Sequence, residues 1–167
     1  MRHTPSHPQA AVRPETSAAA SFYNCLAPAY DRMTDFPSRV RHAGRLVETL
    51  VRRFGPTPAT GIDLGCGTGA FACALAAAGF RAAGLDIAED MLIQARRNAL
   101  SLGLDVRFEC GALEALPQPF EPGSAGLVLC LGNTLPHLLS PETLRRALTG
   151  LGNLLAPTGA AVVQILN

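Results

Sequence analysis

Three glycines at alternate positions constrain this chain more than any other feature. They lie in Ile62-Asp63-Leu64-Gly65-Cys66-Gly67-Thr68-Gly69-Ala70-Phe71, between a short apolar run and an alanine-rich helical stretch. Glycine tolerates positive φ and lets the backbone approach another group where a Cβ would collide. A glycine-rich turn joining a buried strand to a helix is the local signature of a parallel α/β sheet with a ligand crevice at the strand's carboxyl end. Asp86 closes the next apolar run about 20 residues after Gly65, where a carboxylate accepts hydrogen bonds from ribose hydroxyls.

Around that turn the hydrophobic periods alternate regularly. Spacing predicts strands over 60–64, 81–86, 105–110, 126–131 and 159–166, and helices over 70–78, 89–102 and 140–155, the last with Ser140 as N-cap and Pro141 at its first position. Upstream, Ala43, Leu46, Val47, Leu50, Val51 and Phe54 fall at helical spacing between charged residues, so 37–54 reads as an amphipathic helix ended by Gly55-Pro56. Its arginines read as a solvated face. The expected architecture is a Rossmann-like, doubly wound, mostly parallel sheet of about five strands with helices on both faces. Residues 1–20, rich in Pro, Ser, Ala and His without a period, read as a solvated tail. Residues 21–58 then form an N-terminal lid and helix, and 59–167 the core.

Composition narrows the function classes. The 167 residues, 48% hydrophobic with a formal net charge of +1, are enough for one core and too apolar for a disordered chain. The charge balance argues against a nucleic-acid-coating protein. All basic residues are arginine, which removes lysine Schiff-base chemistry. Five cysteines without a Cys-x-x-Cys pair, and histidines not clustered with them, give no metal set and suggest a reducing cytoplasm. No window approaches ~18 uncharged apolar residues, so no membrane span is expected.

The turn alone leaves the cofactor open, because Gly65, Gly67 and Ala70 also satisfy the loose dinucleotide pattern G-x-G-x-x-G/A of nicotinamide enzymes. Asp63 separates the two: an anion beside the loop repels a pyrophosphate and suits a cationic ammonium or sulfonium. With Gly84-Leu85-Asp86-Ile87-Ala88-Glu89-Asp90-Met91-Leu92 and Ala95-Arg96, the glycine run resembles the class I S-adenosylmethionine-dependent methyltransferases. The resemblance implies S-adenosylmethionine as cofactor, with Gly65, Cys66, Gly67 and Gly69 flooring its methionyl part and Asp63 holding its amino group. It implies Asp86 on the ribose hydroxyls and Ile87 and Met91 around the adenosine.

Two departures accompany the resemblance. The family's Gly-Asp-Ala-x-x-Leu-Pro becomes Gly111-Ala112-Leu113-Glu114-Ala115-Leu116-Pro117, so the adenine would meet backbone groups of Ala112 and Leu113, a loss of about 1 kcal/mol. The family sheet has seven strands in the order 3-2-1-4-5-7-6, and this sequence ends at Asn167 within or just after the fifth. That implies the order 3-2-1-4-5 with the last two strands missing. The fifth strand becomes an apolar edge open to a second copy or another partner, and a truncated reading frame is a further expectation.

Leu129-Cys130-Leu131-Gly132-Asn133-Thr134-Leu135-Pro136-His137-Leu138 is similar to a segment of methyltransferases acting mostly on small molecules. It implies the Leu131 carbonyl on the cofactor ammonium, Asn133 and His137 facing the acceptor, and His137 as a candidate general base. Packing or capping is the plainer role for a lone histidine there. Phe22-Tyr23-Asn24-Cys25-Leu26-Ala27-Pro28-Ala29-Tyr30-Asp31 resembles the family's N-terminal lid and implies Tyr30 over the methionyl end, the alternative being that Tyr23 and Tyr30 only pack this helix onto the sheet. Methyl transfer to a small-molecule acceptor is the expected function. A cofactor-binding but inactive module is the alternative.

Overall fold

The computed structural model describes residues 18–55 and 60–165. Helix α1 (Ala18–Met33) is followed by α2 (Phe36–Phe54). Then β1 (Thr60–Leu64), α3 (Ala70–Ala77), β2 (Arg81–Asp86), α4 (Glu89–Ser101) and β3 (Val106–Cys110) alternate. After β3 come β4 (Ala125–Cys130), α5 (Pro141–Leu154) and β5 (Leu155–Val163), with 3-10 turns at Leu113–Ala115 and Leu135–His137. The strands pair in parallel in the order β3-β2-β1-β4-β5.

Side-chain alternation along β1 explains the layers. Ile62 and Leu64 point to one face, where α5 and the Leu113–Phe120 segment cover them through Leu116, Phe120, Leu151 and Leu154. Gly61 points to the other face, and a Cβ there would press on Leu75 and Phe80. Helices α2, α3 and α4 pack on that side through Val47, Leu50, Leu75, Leu92 and Phe108. Strands buried on both faces are continuous apolar runs, which is why they stand out in the sequence.

The larger departures from the sequence expectation are at α1 and β5, and the other expected elements shift by no more than a residue. The solvated tail expected over residues 1–20 gives way at Ala18 to α1, in which Ala20 is buried. Residues 1–17 lie outside the described residues. The fifth strand was expected over 159–166. It begins at Leu155, directly at the end of α5, because Leu155 pairs with Ala125 before a bulge and Ala160 then takes up the register with Leu127. Its pairing ends with the Gln164 amide donating to the Cys130 carbonyl at 3.0 Å, and Leu166 lies outside the described residues. The two 3-10 turns were not expected: a three-residue helix carries too little pattern to stand out.

Helix α1 packs on α4, across the carboxyl ends of the strands, through Ala27, Ala88 and Met91 with Tyr23, Leu26 and Tyr30 around them. Asp35, at φ 52°, caps α2 by accepting from the Ser38 amide. The junction of α1 and α2 is tied to the glycine turn by polar contacts. Arg39 donates to Thr68 Oγ1 at 3.1 Å and lies over the Tyr30 ring. Asn98 of α4 donates to Asp31 Oδ2 at 2.7 Å and to the Thr68 carbonyl at 3.0 Å.

Candidate functional site

Where β1 and β2 end, the glycine turn folds back onto β2. The Gly65 and Cys66 amides both donate to the Leu85 carbonyl, at 2.7 and 3.0 Å, and Gly65, Gly67 and Gly69 have φ of 73°, 53° and 87°. Only glycine enters that region without strain. A Cβ on Gly65 would overlap the Thr134 side chain, so this glycine also sets how closely the β4 loop approaches. Gly69 caps α3 from a position where a Cβ would crowd Phe108 and Ala95.

Asp86 locks the turn. Its Oδ2 accepts from the Gly67 amide at 2.7 Å and its Oδ1 from the Ala88 amide at 2.9 Å. Burial raises this carboxyl above its ordinary range against the pull of those backbone donors. Its side chain lines the adjoining cavity.

That cavity, about 480 Å³, opens between α1, the glycine turn and the loops after β3 and β4. Tyr30, Gly65, Gly67, Asp86, Ile87, Met91, Ala112, Leu113 and His137, all singled out from the sequence, line it together. Five other predicted residues stand outside its wall. Asp63 is 2% exposed beneath the turn, with Oδ2 lacking a hydrogen-bond partner. Burial pushes its carboxyl up to about 7, with the neighbouring Asp86 charge adding to the rise and the Ala72 amide and Arg39 opposing it. Cys66 turns its thiol into the α3–α4 core, where a Cβ on Gly84 would meet it. Gly69 is at the helix cap, one step further from the cavity.

Leu131 and Asn133, in the loop after β4, also stand outside the cavity wall. The Leu131 side chain joins the core under α2, and its carbonyl accepts from the Thr134 hydroxyl at 2.8 Å. Gly132 and Asn133 both have φ of 71°, and this left-handed pair bends the chain so that Gly132 and Thr134 line the cavity and Asn133 does not. Tyr23, Glu114 and Thr134 are the polar wall residues that the sequence did not single out as ligand groups. Their signal was their place in the motifs, Tyr23 in the lid segment, Glu114 beside Leu113 and Thr134 beside Asn133. The Tyr23 hydroxyl is 3.2 Å from His137 Nε2, with the rings edge to face. Phe22, Leu138 and Leu139 make the cavity mouth apolar.

Nucleophilic thiol chemistry has no support here, since burial pushes Cys73 up to about 11, Cys130 up to about 12 and Cys66 well above its ordinary value. Among the described residues no group of three or more His, Cys, Asp or Glu could hold a metal ion. No described helix is long and apolar enough to cross a membrane.

The comparisons with known proteins agree with this geometry. A family model described as a methyltransferase domain matches residues 61–159, more than half of the chain. A curated relative, the ubiquinone biosynthesis O-methyltransferase of Idiomarina loihiensis, is 34% identical over 106 residues, which is 64% of this chain and 42% of that protein. The namesake from Methylococcus capsulatus is 35% identical over the same length, 43% of that protein. The aligned part of the chain thus spans less than half the length of these relatives. Among solved structures, the CcbJ methyltransferase of Streptomyces caelestis superposes with a TM-score of 0.69 at 27% identity, covering 85% of this chain and 56% of that one. An S-adenosylmethionine-dependent methyltransferase of Clostridium acetobutylicum superposes at 0.71 with 20% identity, over 86% of this chain and 57% of that one, a likeness of fold. By the domain match and the shared architecture, the chain belongs to the class I S-adenosylmethionine-dependent methyltransferases.

Proposed function

We propose that the cavity beside the glycine turn binds S-adenosylmethionine and that the chain supports methyl transfer to a hydroxyl of a small-molecule acceptor. The observation that carries the cofactor half is the pairing, at one cavity, of a glycine turn packed too closely on Thr134 for a Cβ at Gly65 with two carboxylates of different kinds. Asp86 lines the cavity as a carboxylate, a group fit to accept from ribose hydroxyls. Asp63 has an orphaned buried oxygen, fit for a cation brought near or for a water linking to it. Ile87 and Met91 supply an apolar wall, Ala112 and Leu113 bring backbone groups, and Tyr30 stands over the turn on α1.

Bound S-adenosylmethionine supplies a methyl group already activated by its sulfonium. What remains for the protein is to position the acceptor, exclude water and take up a proton. The apolar mouth of Phe22, Leu138 and Leu139 suits an acceptor with a hydrophobic body, and His137 is the wall residue of a type that exchanges protons near neutral pH. An oxygen acceptor accords with relatives named as O-methyltransferases. A small molecule accords better than nucleic acid with the near-neutral charge.

Five free thiols favour a cytoplasmic setting. The reading extends to self-association along β5, whose outer side has no strand partner among the described residues. Sedimentation that returns only monomer removes that extension.

Calorimetric titration with S-adenosylhomocysteine tests the cofactor half. Saturable binding that weakens about 10- to 100-fold in Asp86→Ala is the expected result, since the variant loses charge-assisted hydrogen bonds to both turn and ligand. No binding by a folded chain overturns it. Transfer of a labelled methyl group to a panel of small hydroxyl compounds separates an active enzyme from a module that binds the cofactor without reaction.

A further inference from the structure

We propose that Tyr23 is a positioning residue: its hydroxyl donates to His137 Nε2, fixing the imidazole as its Nδ1–H tautomer and fastening the first half of α1 across the cavity mouth. The proposal rests on the function above only for its consequence in catalysis. The contact itself stands on geometry.

The two residues are 114 positions apart in sequence and meet from opposite sides of the cavity. Tyr23 comes from α1 and His137 from the last position of the 3-10 turn after β4. The oxygen-to-nitrogen distance is 3.2 Å, and the rings stand edge to face with centroids 5.6 Å apart. Both side chains line the cavity. The groups facing the pair are Tyr30 and Asp86 on the Tyr23 side and Asp86 again on the His137 side. A phenol is a good donor and a weak acceptor, whereas a neutral imidazole nitrogen is a good acceptor. Burial and the negative charge of Asp86 further hold the phenol protonated. The favoured arrangement is therefore O–H donating to Nε2, which leaves the ring's single N–H proton on Nδ1.

The mechanical consequence follows from how α1 is held. Its second half is fastened to α4 through Asp31 and Asn98. Nearer its start, Asn24 Oδ1 accepts from the Asp90 amide on the α4 side, and Tyr23 reaches His137 on the other side. Helix α1 thus bridges the cavity with anchors on both banks. A cofactor or acceptor passing under the first half of α1 meets the Tyr23–His137 bond. While the bond holds, Nε2 is occupied and Nδ1 carries its proton, so His137 takes the acceptor's proton only once Tyr23 lets go of Nε2.

Three measurements on the full chain test this with Tyr23→Phe, His137→Ala and the double variant. Nitrogen-15 spectra of the free protein should show His137 as the Nδ1–H tautomer and lose that signature in Tyr23→Phe, a change that loss of packing alone does not produce. Deuterium exchange over residues 19–26 should rise about 2- to 10-fold in either single variant, while α4 stays protected and the double variant adds nothing further. S-adenosylhomocysteine should leave Tyr23→Phe faster by a similar factor. An Nε2–H tautomer in the wild type, or exchange unchanged in both single variants, overturns the proposal. If the wild type binds no S-adenosylhomocysteine, the cofactor reading fails, and the spectra and the exchange still decide the role of Tyr23.

Discussion

Asp63 carries a cost at the residue scale that explains its position. The fold keeps it from water, and its carboxyl rises from 3.8 to about 7 because desolvation and the Asp86 charge outweigh the Ala72 amide and Arg39. A raised carboxyl binds protons in the fold that the unfolded chain has released. Its favourable contribution is full below about pH 4 and is lost as pH rises through about 7. Thermal melts of the unliganded protein should therefore show Asp63→Asn gaining over the wild type as pH rises from 5 to 8, and parallel curves would refute the argument. Gly65 is sensitive for a steric reason, since φ of 73° and the Thr134 side chain leave no room for a methyl group. Gly65→Ala should lower stability by about 1–3 kcal/mol and abolish S-adenosylhomocysteine binding, read by denaturant unfolding and calorimetry.

At the element scale, the polar ties between α1, α2, α4 and the glycine turn matter more than helix propensity. Asn98, buried on α4, satisfies Asp31 from α1 and the Thr68 carbonyl from the turn with one amide nitrogen. Removing it leaves a buried acceptor without its donor and frees α1. Asn98→Ala should cost about 1–3 kcal/mol, a fall of roughly 2–12 °C in Tm, and should raise deuterium exchange in the second half of α1. Unchanged exchange there would show that α1 is held by apolar packing alone, through Ala27, Ala88 and Met91. Helix α2 is a contrasting case. Its Ala43, Val47 and Leu50 stripe is buried against the sheet, and its Arg45, Glu48, Arg52 and Arg53 face outward as the sequence spacing indicates.

For the whole molecule, the cavity is lined from α1, the glycine turn, the end of β2, α4 and the loops after β3 and β4. A ligand that touches all of them stabilises the folded state as a unit. S-adenosylhomocysteine at about 100 times its dissociation constant should add about 2.7 kcal/mol, a rise of roughly 5–11 °C in Tm, with protection gained in α1 as well as at the glycine turn. A rise confined to one region, or none, would show that α1 is not part of the binding unit.

Much of this was legible in the sequence because it is local. The run Arg81–Asp86 is the expected strand to the residue, and β1, α3, α4 and the Ser140-capped α5 fall within a residue or two of their expected bounds, because period, caps and breakers are read within one element. The glycine turn and Asp86 were legible for the same reason, and the strand order came with the family resemblance. Contacts that span the chain were not legible. The start of β5 depended on a bulge against β4, the Leu131 carbonyl was engaged by Thr134, and Asn133 left the cavity wall through the positive φ of its own turn. Tyr23 and His137, and Asn98 and Asp31, lie 114 and 67 positions apart. No periodicity links such pairs, and only the packing of α1 across the strand ends brings their polar atoms within bonding distance.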